Sequence, residues 1–351
     1  MLEDKEKPFT PLSNVGEFKL IELLTKHIKH VQPSTKVGVG DDAAVIIPQE
    51  DKLMVLTTDI LIEGVHFDLT WMPLKHLGYK AVVVNLSDVV SMNARPTQIL
   101  VTIAVSNQFS LEAVQEIYAG IEFACKKYKV DMVGGDTSSS SKGLILSITA
   151  IGMVEEKKIT YRKGAQVNDL ICVTGDLGGA YAGLLVLQRE KVTFEANPYV
   201  QPDLQGYEYV IERQIKPEAR IDIIERFDSY GIHPTSMIDI SDGLSSELLH
   251  ICSQSNVGCK IYEDKIPIDI QTQKVADEFQ ISELTMALNG GEDYELLFTI
   301  PIYDYDKIKD KSEISIIGHI TEASEGKYLI NKAGEAIELQ AQGWNAFNNK
   351  K

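Results

Sequence analysis

The first ordered pattern in the chain is helical. Asn14 and Glu17 form a capping box ahead of Phe18, Leu20, Ile21, Leu24 and Ile28, a spacing that predicts an amphipathic helix. Val37–Asp42 is too Gly-rich to continue a helix. Ala43–Ile47 and Leu53–Thr57 read as strands about a turn at Pro48–Lys52. Leu74, Leu77, Ala81 and Val82 stripe a helix from Pro73 to Val90. A strand at Ile99–Val105, a helix at Leu111–Tyr128 and strands at Val130–Val133 and Leu144–Val154 follow, so the first half alternates strands and helices.

The pattern restarts at Asp169–Thr174, a strand running into Gly175, Gly178 and Gly179, then a helix from Ala180 to Gln188. Polar residues with Pro198, Pro202 and Gly206 make 190–216 a surface excursion. Further elements are a helix from Pro217 to Phe227, a strand at Ser236–Ile240, a helix at Leu244–Ser253 and a strand at Gly258–Tyr262. A short helix at Leu284–Leu288 breaks at Gly290–Gly291. Strands at Tyr294–Ile300, 314–320 and Tyr328–Ile330 close the chain. Charge and turn residues concentrate at 155–168. The expected division is therefore an arm over 1–13, a first domain over 14–158 and a second over 159–347.

Size agrees with two domains, since 351 residues with 44% apolar content supply two ordinary cores. No apolar run reaches the ~18 residues of a membrane span, and Met1–Thr10 lacks a signal's apolar stretch. A soluble, cytoplasmic protein with no membrane partner is expected. The net charge of −17 argues against nucleic acid as a partner. Cys125, Cys172, Cys252 and Cys259 form no C-x-x-C pair, so neither zinc nor a disulfide framework is expected.

The acids become informative by position. Gly38-Val39-Gly40-Asp41-Asp42 puts two carboxylates after glycines, where backbone and acid can face one hard cation; an ordinary polar turn is the alternative. Thr57-Thr58-Asp59 ends an apolar strand, and His66 follows seven residues on. Asp88 falls on the apolar face of its helix, with Asn85 near the same face. It needs a cation, or else an N–H or hydroxyl partner in the core. Gly134-Gly135-Asp136 follows another strand. Asp239 and Asp242 flank Ser241 before a helix that one of the latter two could simply cap. Gly290-Gly291-Glu292 is a further Gly–acid element. Thr174–Gly179 lies between strand and helix, as phosphate loops do, but lacks the Walker lysine and spacing. Together these acids would serve two or more Mg²⁺ ions on a polyphosphate.

The motifs GVGDDAAV, TTDILIEGVHF, NLSDVVSM, VGGDTS, IDISDGL and NGGEDYELLF, in this order, resemble the thiamine-monophosphate kinase family, within the superfamily of aminoimidazole ribonucleotide synthetase. The likeness runs from about Glu17 to Trp344. It implies a two-domain PurM-like fold, an α/β half followed by an α+β half, and a homodimer whose N-terminal strands join into a barrel. It implies transfer of phosphate from ATP to thiamine phosphate with several Mg²⁺ ions. By motif, Asp41, Thr57, Thr58, Asp59, Asp88, Asp136, Asp239 and Asp242 match metal ligands. Gly135, Arg162 and Ser241 match nucleotide contacts, and His66, Glu292 and Trp344 match contacts to thiamine phosphate. No residue is singled out as a catalytic acid or base. The 190–216 stretch is longer than the family pattern and is expected to touch no motif. Other branches of the superfamily fit less well: a selenophosphate synthetase wants a reactive cysteine near the start, and a hydrogenase-maturation relative wants one at the end. The first cysteine here is Cys125 and the chain ends Asn348-Asn349-Lys350-Lys351. A non-catalytic sensor of the same ligands would show degraded motifs, and these are intact.

Overall fold

The computed structural model describes residues 10, 15, 17–39, 44–199 and 201–342. The chain divides into two compact units, Met1–Val89 with Arg95–Met153, and Val90–Ala94 with Val154–Lys351. Among the described residues no helix is long and apolar enough to cross a membrane.

The first unit runs α1 (Glu17–Thr25), β1 (Thr35–Val37), β2 (Val45–Ile46), β3 (Lys52–Ile62), α2 (Leu74–Ser91), β4 (Arg95–Val105), α3 (Leu111–Tyr128), β5 (Asp131–Ser139) and β6 (Ile145–Glu155). Four strands form one sheet in the order β3-β6-β4-β5. β4 and β5 are parallel, with α3 as their crossover, and β4 and β6 are antiparallel. β1 and β2 form a separate pair, so the Gly38–Asp42 segment is the connection between them; residues 40–43 lie outside the described residues. Asp131 fixes where that pair begins. Its carboxylate accepts from the Val31 and Gln32 amides at 2.6 and 3.0 Å and from the Thr35 hydroxyl at 2.7 Å.

The second unit contains β7 (Leu170–Thr174), α4 (Gly179–Ala196), α5 (Glu208–Ile215), α6 (Ile221–Tyr230), β8 (Ser236–Asp239), α7 (Leu244–Ser255), β9 (Gly258–Tyr262), α8 (Ile270–Phe279), α9 (Glu283–Asn289), β10 (Leu296–Ile300), α10 (Tyr305–Ile308), β11 (Ile314–Thr321), β12 (Lys327–Ile330) and β13 (Ala336–Glu338). Its seven-stranded sheet has the order β13-β12-β9-β11-β7-β10-β8. The β9–β12 pair is parallel and the rest are antiparallel. Ile171, Val173, Leu297, Ile317 and Ile320 build one core with α7, and Cys172, Phe298 and Met237 build another with α6. The four cysteines are buried and free, and burial pushes the Cys125 thiol up to about 12.

Several expectations change. The strand expected at Val130–Val133 runs to Ser139, so Gly134-Gly135-Asp136 lies within it, and the helix expected from Pro217 begins at Ile221. The strand expected at Leu53–Thr57 runs to Ile62, because inward and outward residues keep alternating through the polar Thr-Thr-Asp. The excursion at 190–216 is largely helical: α4 continues to Ala196, burying Glu190, which accepts from Arg189 and the Asp203 amide, and α5 follows. α8 was not expected, since only Thr272, Val275 and Ala276 of it are buried, too thin a stripe to register.

Helices α2 and α3 cross at glycine. A Cβ at Gly120 would stand 1.9 Å from the Lys75 carbonyl oxygen, and one at Gly78 would stand 2.0 Å from that of Ile117. Alanine gains roughly 1 kcal/mol in helix propensity over glycine, but here it must push two backbones apart. Gly120→Ala is therefore expected to lower stability by about 1–3 kcal/mol in urea unfolding; an unchanged or raised midpoint would contradict this packing.

Candidate functional site

In the first unit, strand alternation sorts the motif residues onto two faces. Thr57 and Asp59 point toward α2. The Thr57 hydroxyl donates to Asp88 Oδ2 at 2.6 Å, and the Asp59 amide donates to Asn85 Oδ1 at 2.9 Å. Asn85 is buried, and its Nδ2 donates to the Ala81 carbonyl at 3.0 Å, so both ends of its amide are engaged. Asp88 thus has the hydroxyl partner that was the alternative to a cation. Asp59 is less well served: burial first, and then the neighbouring charge of Asp88, push its carboxyl up to about 6.

Thr58 faces the other way, where its hydroxyl donates to the Ile148 carbonyl at 3.0 Å and accepts from Thr149 at 3.1 Å. Asp136 is exposed on β5, next to Thr137, whose side chain bonds the Tyr118 hydroxyl on α3. By alternation Asp136 turns from the helix-covered face, so the structure does not bring it beside Asp59 and Asp88. At Gly135 a Cβ would stand 1.8 Å from the Val101 carbonyl oxygen, which excludes any side chain. His66 sits in the turn after β3 and accepts the Ile62 amide on Nδ1 at 3.0 Å. The ring proton then belongs on Nε2, a donor suited to a phosphate oxygen. Asp41 and Trp344 lie outside the described residues.

In the second unit two motif loops run side by side at the β8 edge. Asp239 pairs with Leu296 across β8 and β10. The Ile240 amide donates to the Glu295 carbonyl, the Tyr294 amide to that of Ile240, and the Glu292 amide to that of Ser241, at 2.7–2.8 Å. This close stitching needs Gly291, at φ +73°, where a Cβ would stand 2.7 Å from the Ser241 carbonyl oxygen. Asp239 is buried, and burial raises the Asp242 carboxyl. The capping alternative fails for both Ser241 and Asp242, because Gly243 occupies the N-cap of α7 and no side chain caps it. Arg162 is exposed in the bend between β6 and β7.

The sequence reading missed Glu247. Its Oε1 accepts the Asp242 amide at 3.0 Å, and its Oε2 is buried with no partner. Burial pushes its carboxyl up to about 8. It lies three residues from Leu244 and four from Ile251, both buried, so it carries the same signal as Asp88, an acid on an apolar stripe. Also missed was the ionic group behind the loops. Buried Asp293 accepts from the Gly178 and Ala180 amides at 2.8 and 3.4 Å, and burial pushes its carboxyl up to about 7. That carboxylate occupies the start of α4, the point where the Thr174–Gly179 turn could have taken a phosphate.

The donors are oxygen throughout, and the charge of Asp88 beside Asp59 raises the Asp59 carboxyl. That donor set fits a hard divalent cation. Among the described residues no group of three or more His, Cys, Asp or Glu side chains is placed to hold an ion.

The family descriptions "AIR synthase related protein, N-terminal domain" and "AIR synthase related protein, C-terminal domain" match residues 40–154 and 166–331. The chain is 32% identical over 338 residues to a thiamine-monophosphate kinase of Bacillus subtilis, covering 95% of this chain and 100% of that one. Against the enzyme of that name from Aquifex aeolicus it is 33% identical over 336 residues, covering 96% and 99%. Its fold is similar to that of AaThiL complexed with AMPPCP and TMP, with a TM-score of 0.73, 30% identity and coverage of 97% and 100%.

The raised Asp59 carboxyl has a consequence for the metal-free protein. The folded state binds the proton more tightly than the unfolded chain, so stability is greatest at or below pH ~4 and is lost as the pH rises through about 6. In chelator, Asp59→Asn is expected to be about 2 kcal/mol more stable than wild type at pH ~7.5 in urea unfolding, the gap closing near pH ~4. A gap independent of pH would refute the assignment.

Proposed function

This chain belongs to the thiamine-monophosphate kinase family, and we propose that it transfers the γ-phosphate of ATP directly to thiamine phosphate, giving thiamine diphosphate and ADP, with several Mg²⁺ ions. The end-to-end match to the named relatives carries the reading. The site chemistry supports it. The acceptor's phosphate has a second pKa of about 6 and is already largely ionised at neutral pH, so no general base is required. That suits a site rich in carboxylates and without a base–nucleophile pair among the motif residues.

In this reading Asp41, Thr57, Thr58, Asp59, Asp88, Asp136, Asp239 and Asp242 hold Mg²⁺. When bound, Mg²⁺ supplies the charge that lets two polyanions approach. Gly135 offers its backbone to the nucleotide, and Ser241 and Arg162 meet it as donors. His66 offers its Nε2 proton to the acceptor phosphate. Glu292 matches the positive charge of the thiazolium ring, and Trp344 stacks on a ring of the substrate. The proposal includes a cytoplasmic setting, which free, buried cysteines suit. It also keeps an arm over 1–13 and domains over 14–158 and 159–347.

Homodimerisation through the N-terminal strands belongs to the same proposal. Its support is the outer face of β3, where Met54, Leu56 and Ile60 are 43%, 61% and 47% exposed. Leu56→Asp is expected to shift the protein to monomer in sedimentation velocity; an unchanged sedimentation coefficient would count against that face.

With MgATP and thiamine phosphate the purified protein is expected to form thiamine diphosphate and ADP in equal amounts, resolved by chromatography. ATP alone should leave no labelled phosphoprotein. Asp136→Asn should reduce turnover by a factor on the order of 100 or more while retaining the wild-type circular dichroism. Tight ligand binding without product would instead identify a sensor, and full activity in the variant would remove Asp136 from the metal set.

A further inference from the structure

Residues 190–216 belong to none of the motifs, and they were expected to touch none. Two adjacent residues at the end of α5 overturn that expectation. Arg213 donates through Nη1 to Glu295 Oε1 at 3.0 Å and through Nη2 to the Asp176 and Asp293 carbonyls at 3.0 and 3.3 Å. Gln214 donates through Nε2 to Glu292 Oε2 at 2.7 Å. α5 therefore grips three of the four residues from Glu292 to Glu295. The helix is firmly seated, with Val210 buried in a cluster with Ala182, Val186, Val275 and Met286.

The gripped loop is one that needs holding. Glu292 and Tyr294 are left-handed, at φ +59° and +52°, a conformation that costs non-glycine residues on the order of 1 kcal/mol or more each. The amide bonds to Ile240 and Ser241 set the path of the backbone, and the Gln214 bond acts on the Glu292 carboxylate itself. Gln214 is 2% exposed, whereas Glu292 is only half-buried, so the donor is the better fixed of the two. The type of donor also matters. Arg213 and Arg220 both bring positive charge to Glu295. An amide brings none, so it orients Glu292 without offsetting the negative charge that a cationic ligand would meet.

We propose that Gln214 is a positioning residue, fixing the Glu292 carboxylate so that recognition of the cationic acceptor depends on a helix outside the motifs. The proposal rests on the reading of Glu292 as an acceptor contact. Steady-state kinetics of the full chain with MgATP and thiamine phosphate tests it through Gln214→Met, Glu292→Gln and the double variant. Gln214→Met is expected to raise KM for thiamine phosphate by about tenfold, with kcat and KM for ATP within about twofold, since the lost interaction serves binding alone. In the Glu292→Gln background Gln214→Met should add nothing, because both changes remove one interaction. Gln214→Asn, one methylene shorter, should move KM in the same direction and serves if the Met variant folds poorly. Independent, multiplying effects of the two substitutions would overturn the proposal, as would equal changes in both KM values. If Glu292→Gln alone leaves KM for thiamine phosphate unchanged, the reading of Glu292 falls, and the proposal with it.

Discussion

Asp59 and Asp88 face one another between β3 and α2, with a threonine hydroxyl on one and a backbone amide bond to Asn85 beside the other. Two acids so placed repel, and burial deepens the cost of charging them. Other acids are fully engaged. Asp131 takes three donors from the 31–35 segment, and Glu295 takes two guanidinium groups and the Thr174 hydroxyl. Asp59 and Glu247, both raised by burial, are less well served, and they lie in or beside the motifs. Stability is thus spent where a cation would return it, the usual signature of a site shaped for a ligand.

The two halves of the candidate machinery use different devices. In the first unit a strand delivers side chains to both of its faces, so Thr57 and Asp59 part from Thr58 by the pleat alone. In the second unit two loops are bound together amide by amide, and Gly291 lets them approach. The second arrangement is costlier in backbone strain. It is also buttressed from outside by α5, whose residues carry no motif.

Much of this was legible in the chain. The helix at Leu111–Tyr128 and the strand at Gly258–Tyr262 were read to the residue, because a strong 3.6-residue stripe and clear bounding turns specify them. Asp88 stood out because an acid on an apolar stripe is expensive. Glu247 carried the same signal on α7. α5 was hidden by brevity and by Gln214, a polar residue at a buried position, which a hydrophobic pattern counts as exposed.

By itself the sequence determined most of the ladder of elements, the association of the acids with glycines and apolar strands, and, through six motifs in order, the family. Those are local or one-dimensional properties: period, turn chemistry and residue spacing. Only the tertiary structure decided which acids share a face, that Asp136 turns from Asp59, that Asp293 fills the start of α4, and that α5 holds Glu292. Each of these depends on pairings between residues from about 30 to 115 positions apart, where burial and the geometry of hydrogen bonds, rather than pattern, select the partner.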